Sequence, residues 1–338
     1  MEKVIVIGCP GAGKSTFARK LRDKTKLPLF YLDRIWHKPD KTTVTREEFD
    51  ARLDAILAEP RYIIDGNYSR TLEKRVRACD TVFFFDLPTE DCLSGAQARI
   101  GTVHEDLPWI ETEFDPEFRD WILDFKREKQ PEIERLLTLY GEGKRIVVFH
   151  SREEADAYLD AEIPTVYYRD EEIVIRDLTQ PDARIITDGE IEQGWHAEID
   201  KYEMRLRDRA EGRAHALCAE YHGMPAGYIN VYPSSMWGAF GGQGLPEIVD
   251  FGVLEKFRRR GIGAKLMDAA EEIAGRYADT VYLGVGVHSG YGSAQRMYVK
   301  RGYLPDGSGA WYRDSVCPQY APCCNDDSLI LYLSKKLR

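Results

Sequence analysis

The chain has 338 residues, 43% of them hydrophobic and 31% charged, and carries a net charge of −10. That length suits two domains rather than one, and the composition is that of a globular protein able to bury a core. The acidic balance excludes a general nucleic-acid binder, which needs a basic face for phosphates, and no run approaches the ~18 apolar residues of a membrane span.

The opening "MEKVIVIGCPGAG" is a short apolar run leading into a glycine loop, which reads as a buried strand rather than a signal peptide. The seven cysteines are an odd number without Cys-x-x-Cys spacing, and Cys323 and Cys324 are adjacent, a poor geometry for joint metal binding. This pattern points to a reducing, cytoplasmic setting and no zinc site. "KVIVIG" (3–8) predicts a strand buried on both faces, and "KSTFARKLRDKT" a helix with Phe17 and Leu21 on one side. "LPLFYLD" (27–33) predicts a second strand. "TREEFDARLDAILAEP" opens with a capping box from Thr45 to Glu48 and continues as an amphipathic helix. Strands follow at 61–65, 81–86 and 145–150, with a charged, aromatic stretch before the last and a second capping box, Ser151 to Glu154, after it. This alternation predicts an α/β domain on a parallel, doubly wound sheet over residues 1–162.

"DAEIPTVYYRDEE" (160–172) has a proline, charges and no helical period, and reads as the domain boundary. From 171 to 338 the order changes. Strand "IVIRDL", helices around 190–210, strands at 215–223 and 224–233, and strand "EIVDFGVL" (247–254) precede a second glycine loop. A helix with Leu266, Ala270, Ile273 and Tyr277 on one stripe, a strand at 280–287, a short helix ending at Gly302 and a final strand complete an α+β domain.

The first loop, Gly8-Cys9-Pro10-Gly11-Ala12-Gly13-Lys14-Ser15-Thr16, fits G-x-x-x-x-G-K-[ST] between a strand and a helix. Its glycines let backbone amides converge on phosphate oxygens, Lys14 brings a charge to the β- and γ-phosphates, and Ser15 suits Mg²⁺. Asp33, Asp65 and Asp86 end predicted strands and so lie on the rim of the sheet that carries the loop. "IGCPGAGKSTFARKL", "YLDRIW", "IIDGNYSRTL", "DTVFFFDLP" and "RIVVFHSREEADAYL" resemble, over residues 1–160, the small P-loop kinases known as topology modulation proteins, relatives of adenylate and shikimate kinases. The resemblance implies ATP and Mg²⁺ as ligands. It also implies Asp65 beside the metal's water shell, Asp33 near the acceptor hydroxyl and Arg70 on the acceptor's phosphate or carboxylate. Where such kinases carry a lid rich in arginine, "GTVHEDLPWIETEFDPEFRDW" is mostly acidic, leaving Arg99, Arg119 and Arg127 as candidates. Nucleotide binding is therefore the firmer expectation and phosphoryl transfer to a small acceptor the further one.

The second loop, Arg258-Arg259-Arg260-Gly261-Ile262-Gly263-Ala264, lacks the third glycine and βαβ setting of a dinucleotide fingerprint and the lysine of an ATP loop. A pyrophosphate held by amides at a helix start fits it. With "SAQRMYVKRGYLPDG" downstream, residues 172–338 resemble the GCN5-related N-acetyltransferases (GNAT). The resemblance implies that this loop cradles the pyrophosphate of acetyl-CoA, that a V-shaped opening lies beside Val253, and that Tyr298 is the general acid. Deprotonating an ammonium needs a base, and Glu247 and Asp250 are the nearest carboxylates. Being three apart they face opposite sides of a regular strand, so only one meets the cleft unless a bulge intervenes. His196 and His288 are further candidate bases. Trp195, Tyr202, Tyr232, Trp237, Trp311 and Tyr312 are aromatics for an amine pocket or for core packing. The leading expectation is an N-acetyltransferase acting on a small-molecule amine, fused to a kinase-like domain. The alternatives are a nucleotide-binding regulatory domain without turnover, and a binding or scaffold protein with both sites vestigial.

Overall fold

The computed structural model describes residues 1–337, which form two compact units, Met1–Ile163 and Pro164 onward. The first contains β1 (Lys3–Gly8), α1 (Lys14–Thr25), β2 (Leu29–Tyr31), α2 (Leu32–Trp36), α3 (Arg46–Ala58), β3 (Tyr62–Asp65), α4 (Ser69–Ala78), β4 (Thr81–Phe85), α5 (Thr89–Gln97), α6 (Pro116–Glu128), α7 (Gln130–Tyr140), β5 (Arg145–Phe149) and α8 (Arg152–Glu162). Its five strands are all parallel, in the order β2-β3-β1-β4-β5. The central strands are buried on both faces because helices cover both, which is why they are continuous apolar runs rather than alternating ones. Phe17 on α1 packs into Phe83, Phe85 and Phe149 and ties the helix after the glycine loop to β4 and β5.

Three sequence readings change here. The strand expected through Asp33 stops at Tyr31, and Asp33 lies in the first turn of α2. Thr45 accepts from the Glu48 amide, but the Glu48 carboxylate turns to Arg52, so only half of that capping box forms. The units divide after Ile163, inside the 160–172 segment read as the boundary, but that segment is largely structured rather than a linker. α8 runs to Glu162, and β6 (Val166–Arg169) forms a hairpin with β7 (Ile173–Asp177). The helical period vanishes after Glu162 because Val166–Arg169 is a strand.

The second unit continues with α9 (Gln180–Glu192), α10 (Ile199–Ala210), β8 (His215–Tyr221), β9 (Met224–Tyr232), β10 (Glu247–Val253), α11 (Ile262–Ala274), β11 (Thr280–Gly286), α12 (Gly292–Lys300), β12 (Leu304–Tyr312), β13 (Ser315–Val316) and β14 (Leu329–Lys336). The nine strands run β13-β12-β14-β11-β10-β9-β8-β7-β6, antiparallel except for the β10–β11 pair. α11 buries Leu266, Ala270 and Ile273 against this sheet, whereas Tyr277 falls beyond the helix and is half exposed. None of the described helices is long and apolar enough to cross a membrane.

Candidate functional site

In the first unit, Gly13 caps α1 in the left-handed region, at φ 100°, and the first helical bond runs from Phe17 to Gly13. The amides of Gly13, Lys14, Ser15 and Thr16 therefore have no acceptor within the helix and converge on one point. The loop is clamped from behind. A side chain at Gly11 would stand 2.0 Å from the Cys92 carbonyl oxygen, and one at Gly8 2.3 Å from that of Phe85. Asn67 pairs with both backbone groups of Gly8, and buried Arg75 donates to the carbonyls of Gly66, Asn67 and Tyr68. The segment after β3 is thus fixed against the glycine loop.

Lys14 is buried, its Nζ 2.8 Å from the Cys9 carbonyl. Burial pushes the Asp65 carboxyl up to about 6, against the opposing pull of Lys14 and Ser15. Its Oδ1 is buried with no partner. That orphaned oxygen next to the Ser15 hydroxyl fits the outer, water-bridged coordination of a magnesium ion. A cavity of about 280 Å³ opens beside the loop, lined by Lys14, Ser15 and Thr16 with Arg19, Arg99 and Arg152. Asp106 holds Arg99 at 2.8 Å and Arg19 at 3.6 Å, and accepts from Ser15 at 3.3 Å. Of the candidates Arg99, Arg119 and Arg127 read from the sequence, Arg99 lines this cavity. Arg127 instead pairs with Asp124 and Glu128, and neither it nor Arg119 lines this cavity. Arg19 and Arg152 were missed; they come from α1 and α8, far apart in sequence.

A larger cavity, about 800 Å³, adjoins the loop at Pro10 and Gly11 and has Asp33 in its wall. Tyr68 donates to Asp33 at 2.9 Å, and burial pushes the Asp33 carboxyl up. Arg70, expected on the acceptor, makes a two-pronged ion pair with Asp50 at the surface and does not line the cavity. Asp86 is held by Lys126 at 2.9 Å and lines neither cavity. Arg75 and Asp106 were also missed. Arg75 left one trace in the sequence, an arginine on the same face of α4 as Leu72 and Val76.

In the second unit, Gly261 caps α11 at φ 81° and Lys265 donates to Gly261, so the amides of Gly261, Ile262, Gly263 and Ala264 are likewise unspent. A Cβ on Gly261 would meet nothing within 4 Å, so this cradle is open. That fits a pyrophosphate approached by backbone alone. Gly263 is different: it has ordinary helical backbone, and a Cβ there would stand 3.1 Å from the Phe251 ring. Arg258 binds the Val253 carbonyl and Glu255 and lies over Trp195. Arg260 binds the Tyr221 hydroxyl, and Arg259 has no ion-pair partner among the described residues.

β10 and β11 pair only at Glu247–Tyr282 and Ile248–Leu283, then part. The bulge that sequence parity left open is present. β10 slips against β9 between Val249 and Gly252, with Asp250 at φ 49°. Ile248, Phe251 and Val253 pack on the α11 side, which returns Asp250 to the face of Glu247. Arg205 on α10 takes Asp250 at 2.6 Å. Glu247 remains without an ion pair among the described residues; burial raises its carboxyl while the hydroxyls of Ser235 and Tyr282 oppose the rise. Tyr298 on α12 is buried beside Phe251, its ring 6.4 Å away, and burial raises its phenol. His288 is bound to Asp327 at 3.0 Å, Tyr202 to buried Glu190, and Tyr232 to Arg205 and Asp208, all in networks of this unit. Trp237 is exposed.

Residues 175–303 match the model of the acetyltransferase (GNAT) family, so the second unit carries a GNAT-type domain. Among solved structures, an acetyltransferase from Salmonella typhimurium that modifies the N-terminal serine of ribosomal protein L7/L12 shares 9% identity, over 51% of this chain and 99% of that one, with a TM-score of 0.40. Ard1 from Thermoplasma volcanium shares 20% over 49% and 99%, at 0.38. Arabidopsis thaliana Naa50 in complex with a bisubstrate analogue, CoA-Ac-MVNAL, shares 15% over 49% and 99%, at 0.36. No curated protein matches the chain.

Proposed function

We propose that the second unit is an acetyl-CoA-dependent N-acetyltransferase acting on a small-molecule amine, and that the first binds Mg²⁺·ATP and phosphorylates a small hydroxyl-bearing acceptor. The observation that carries the first half is the open amide cradle of Gly261–Ala264 beside strands that part after Ile248, within the stretch that matches the GNAT family. Acetyl-CoA would supply the thioester carbonyl. Glu247 takes the ammonium proton, through water where the distance requires, because its raised carboxyl is a stronger base than an exposed one. Asp250, neutralised by Arg205, orients rather than accepts. The Tyr298 phenol stays protonated at neutral pH and donates to the departing sulfur.

In the first unit, the amides of residues 13–16 and Lys14 would bind the phosphates, while Ser15 and Asp65 would hold the metal and its water. Asp33 faces the acceptor cavity. The reading is tested by screening amines for CoA release and then assaying Glu247→Gln and Tyr298→Phe. Both variants are expected to bind acetyl-CoA as before and to lose roughly 10²-fold in maximal rate, Glu247→Gln also losing the rise of rate with pH. Unchanged rates would remove both residues from the chemistry.

A further inference from the structure

The 800 Å³ cavity of the first unit has a wall chemistry that selects a charge. Its sides include Trp36, Tyr68, Trp109, Phe118 and Trp121. Asp33 faces it with the Tyr68 hydroxyl as its partner and no cation within ion-pair distance among the described residues; Lys14 and the lining His37 act on it only from beyond that distance. Glu111, Glu113 and Asp115 are also in the lining. Of the lining cations, Arg99 is consumed by Asp106 and Glu111, at 2.8 and 3.5 Å. Lys41 and Lys129 remain, one an exposed side chain and the other half-buried. The arginine that an anionic acceptor would need, Arg70, is locked to Asp50 outside.

We infer that this cavity takes an organic ammonium that also bears a hydroxyl, an amino alcohol with an apolar body, and not a phosphate- or carboxylate-bearing acceptor. Aromatic faces attract a cation through the ring quadrupole and repel a carboxylate. A half-buried carboxylate without a cation in contact with it is costly, and a bound ammonium supplies that contact. In a vicinal amino alcohol, nitrogen and oxygen lie close enough for one carboxylate to accept from both. This inference rests on the phosphoryl-transfer reading for what happens next. The hydroxyl O–H breaks and its proton passes to Asp33. The oxygen bonds to the γ-phosphorus of a nucleoside triphosphate, and the nucleoside diphosphate leaves with the electrons of the broken P–O bond. Both units would then act on amine-bearing molecules, one at oxygen and the other at nitrogen.

The experiment is calorimetry on the full chain with a matched pair of phenyl alcohols, cationic 2-amino-1-phenylethanol and anionic mandelate. The amine should bind at least about tenfold more tightly, and Asp33→Asn or Trp109→Leu should each remove about tenfold. Two variants are used so that one misfolded protein does not decide the matter. Equal or tighter binding of mandelate, no heat from the amine at millimolar concentration, or binding untouched in both variants would overturn the inference. Titration with Mg²⁺·ATP and an assay for diphosphate release are run separately. If the amine binds as described but no nucleotide binds or turns over, the phosphoryl-transfer reading falls and the cavity stands as a cation site.

Discussion

The loops at residues 8–16 and 258–264 make the same backbone turn and differ in what surrounds it. The first leaves a strand directly and the second after one 3-10 turn, Glu255–Phe257; each places a left-handed glycine at the cap of a helix and frees four amides. The first is pressed against α5 and the end of β4 and adds a buried lysine, buried Asp65 and a serine. The second is open on its outer side and adds exposed arginines. A helix start alone attracts any phosphate. The added side chains decide which one: a buried lysine with a carboxylate that keeps one oxygen unpartnered suits a triphosphate that brings a metal, and a bare cradle suits a diphosphate bridge that brings none.

The sharpest way to break this contrast is to add one methyl to each loop. Gly11→Ala must displace the Cys92 carbonyl and also holds alanine at φ 76°, so the first unit should lose roughly 3 kcal/mol or more. Gly261→Ala has empty space before it and bears only the left-handed backbone cost, about 1 kcal/mol. Denaturant unfolding, following each unit's own transition, measures both. Equal costs would mean that the first loop is not clamped.

Next is charge. Lys14→Met keeps the buried stem and removes the ammonium, and should weaken Mg²⁺·ATP by about 10²-fold, the worth of one or two charge-assisted hydrogen bonds. Acetyl-CoA affinity should not change. Calorimetry with both ligands on the same variant decides, and a parallel loss of both would end the picture of separate sites.

What the sequence revealed, and what it hid, follows from the same physics. "KVIVIG" and "TVFFF" were legible because strands buried on both faces are uninterrupted apolar runs. The two loops were legible because glycine, lysine and arginine spacing reports backbone shape directly. β6 was missed because it is only four residues long and lies between Pro164 and the charges that begin at Arg169. β12 was missed because Gly307 and Gly309 read as turns, and its pairing with β14 is itself irregular between Pro305 and Ala310. The Asp250 bulge left no mark at all, since an aspartate at φ 49° looks like any other in sequence. Arg70 lies outside the cavity because matching a motif position does not report a competing partner, here Asp50 on α3.

Asp65, at the end of β3 beside the first loop, separates stability from binding there. Its carboxyl rises from the ordinary 3.8 to about 6 on folding, so the stabilising share of the neutral acid is complete below 3.8 and is lost as pH rises through about 6. Asp33, also raised by burial, acts in the same direction. Asp65→Asn should flatten that part of the stability profile and make the first unit more stable at pH 7, by on the order of 2 kcal/mol. Metal-dependent nucleotide binding, which needs the ionised carboxylate, should strengthen in the parent protein as pH rises through 6 and be weak at every pH in the variant. Melting and nucleotide titrations from pH 4 to 8 test both, and a variant that loses stability at pH 7 would contradict the assigned burial cost.

The smallest effect belongs to the second loop. Arg259 has no ion-pair partner among the described residues and lies exposed at the edge of the cradle, so it acts only through the long-range field. Arg259→Gln should weaken acetyl-CoA by about threefold at low salt, the worth of one exposed charge, and by almost nothing at 1 M salt, where the screening length falls to about 3 Å. The Lys14→Met loss of nucleotide should survive the same salt, because its charge acts at contact distance inside the fold. Binding measured for both variants across a salt series sets the two loops side by side. If the Arg259→Gln effect persists at high salt, the arginine touches the ligand and the second cradle is less bare than its backbone suggests.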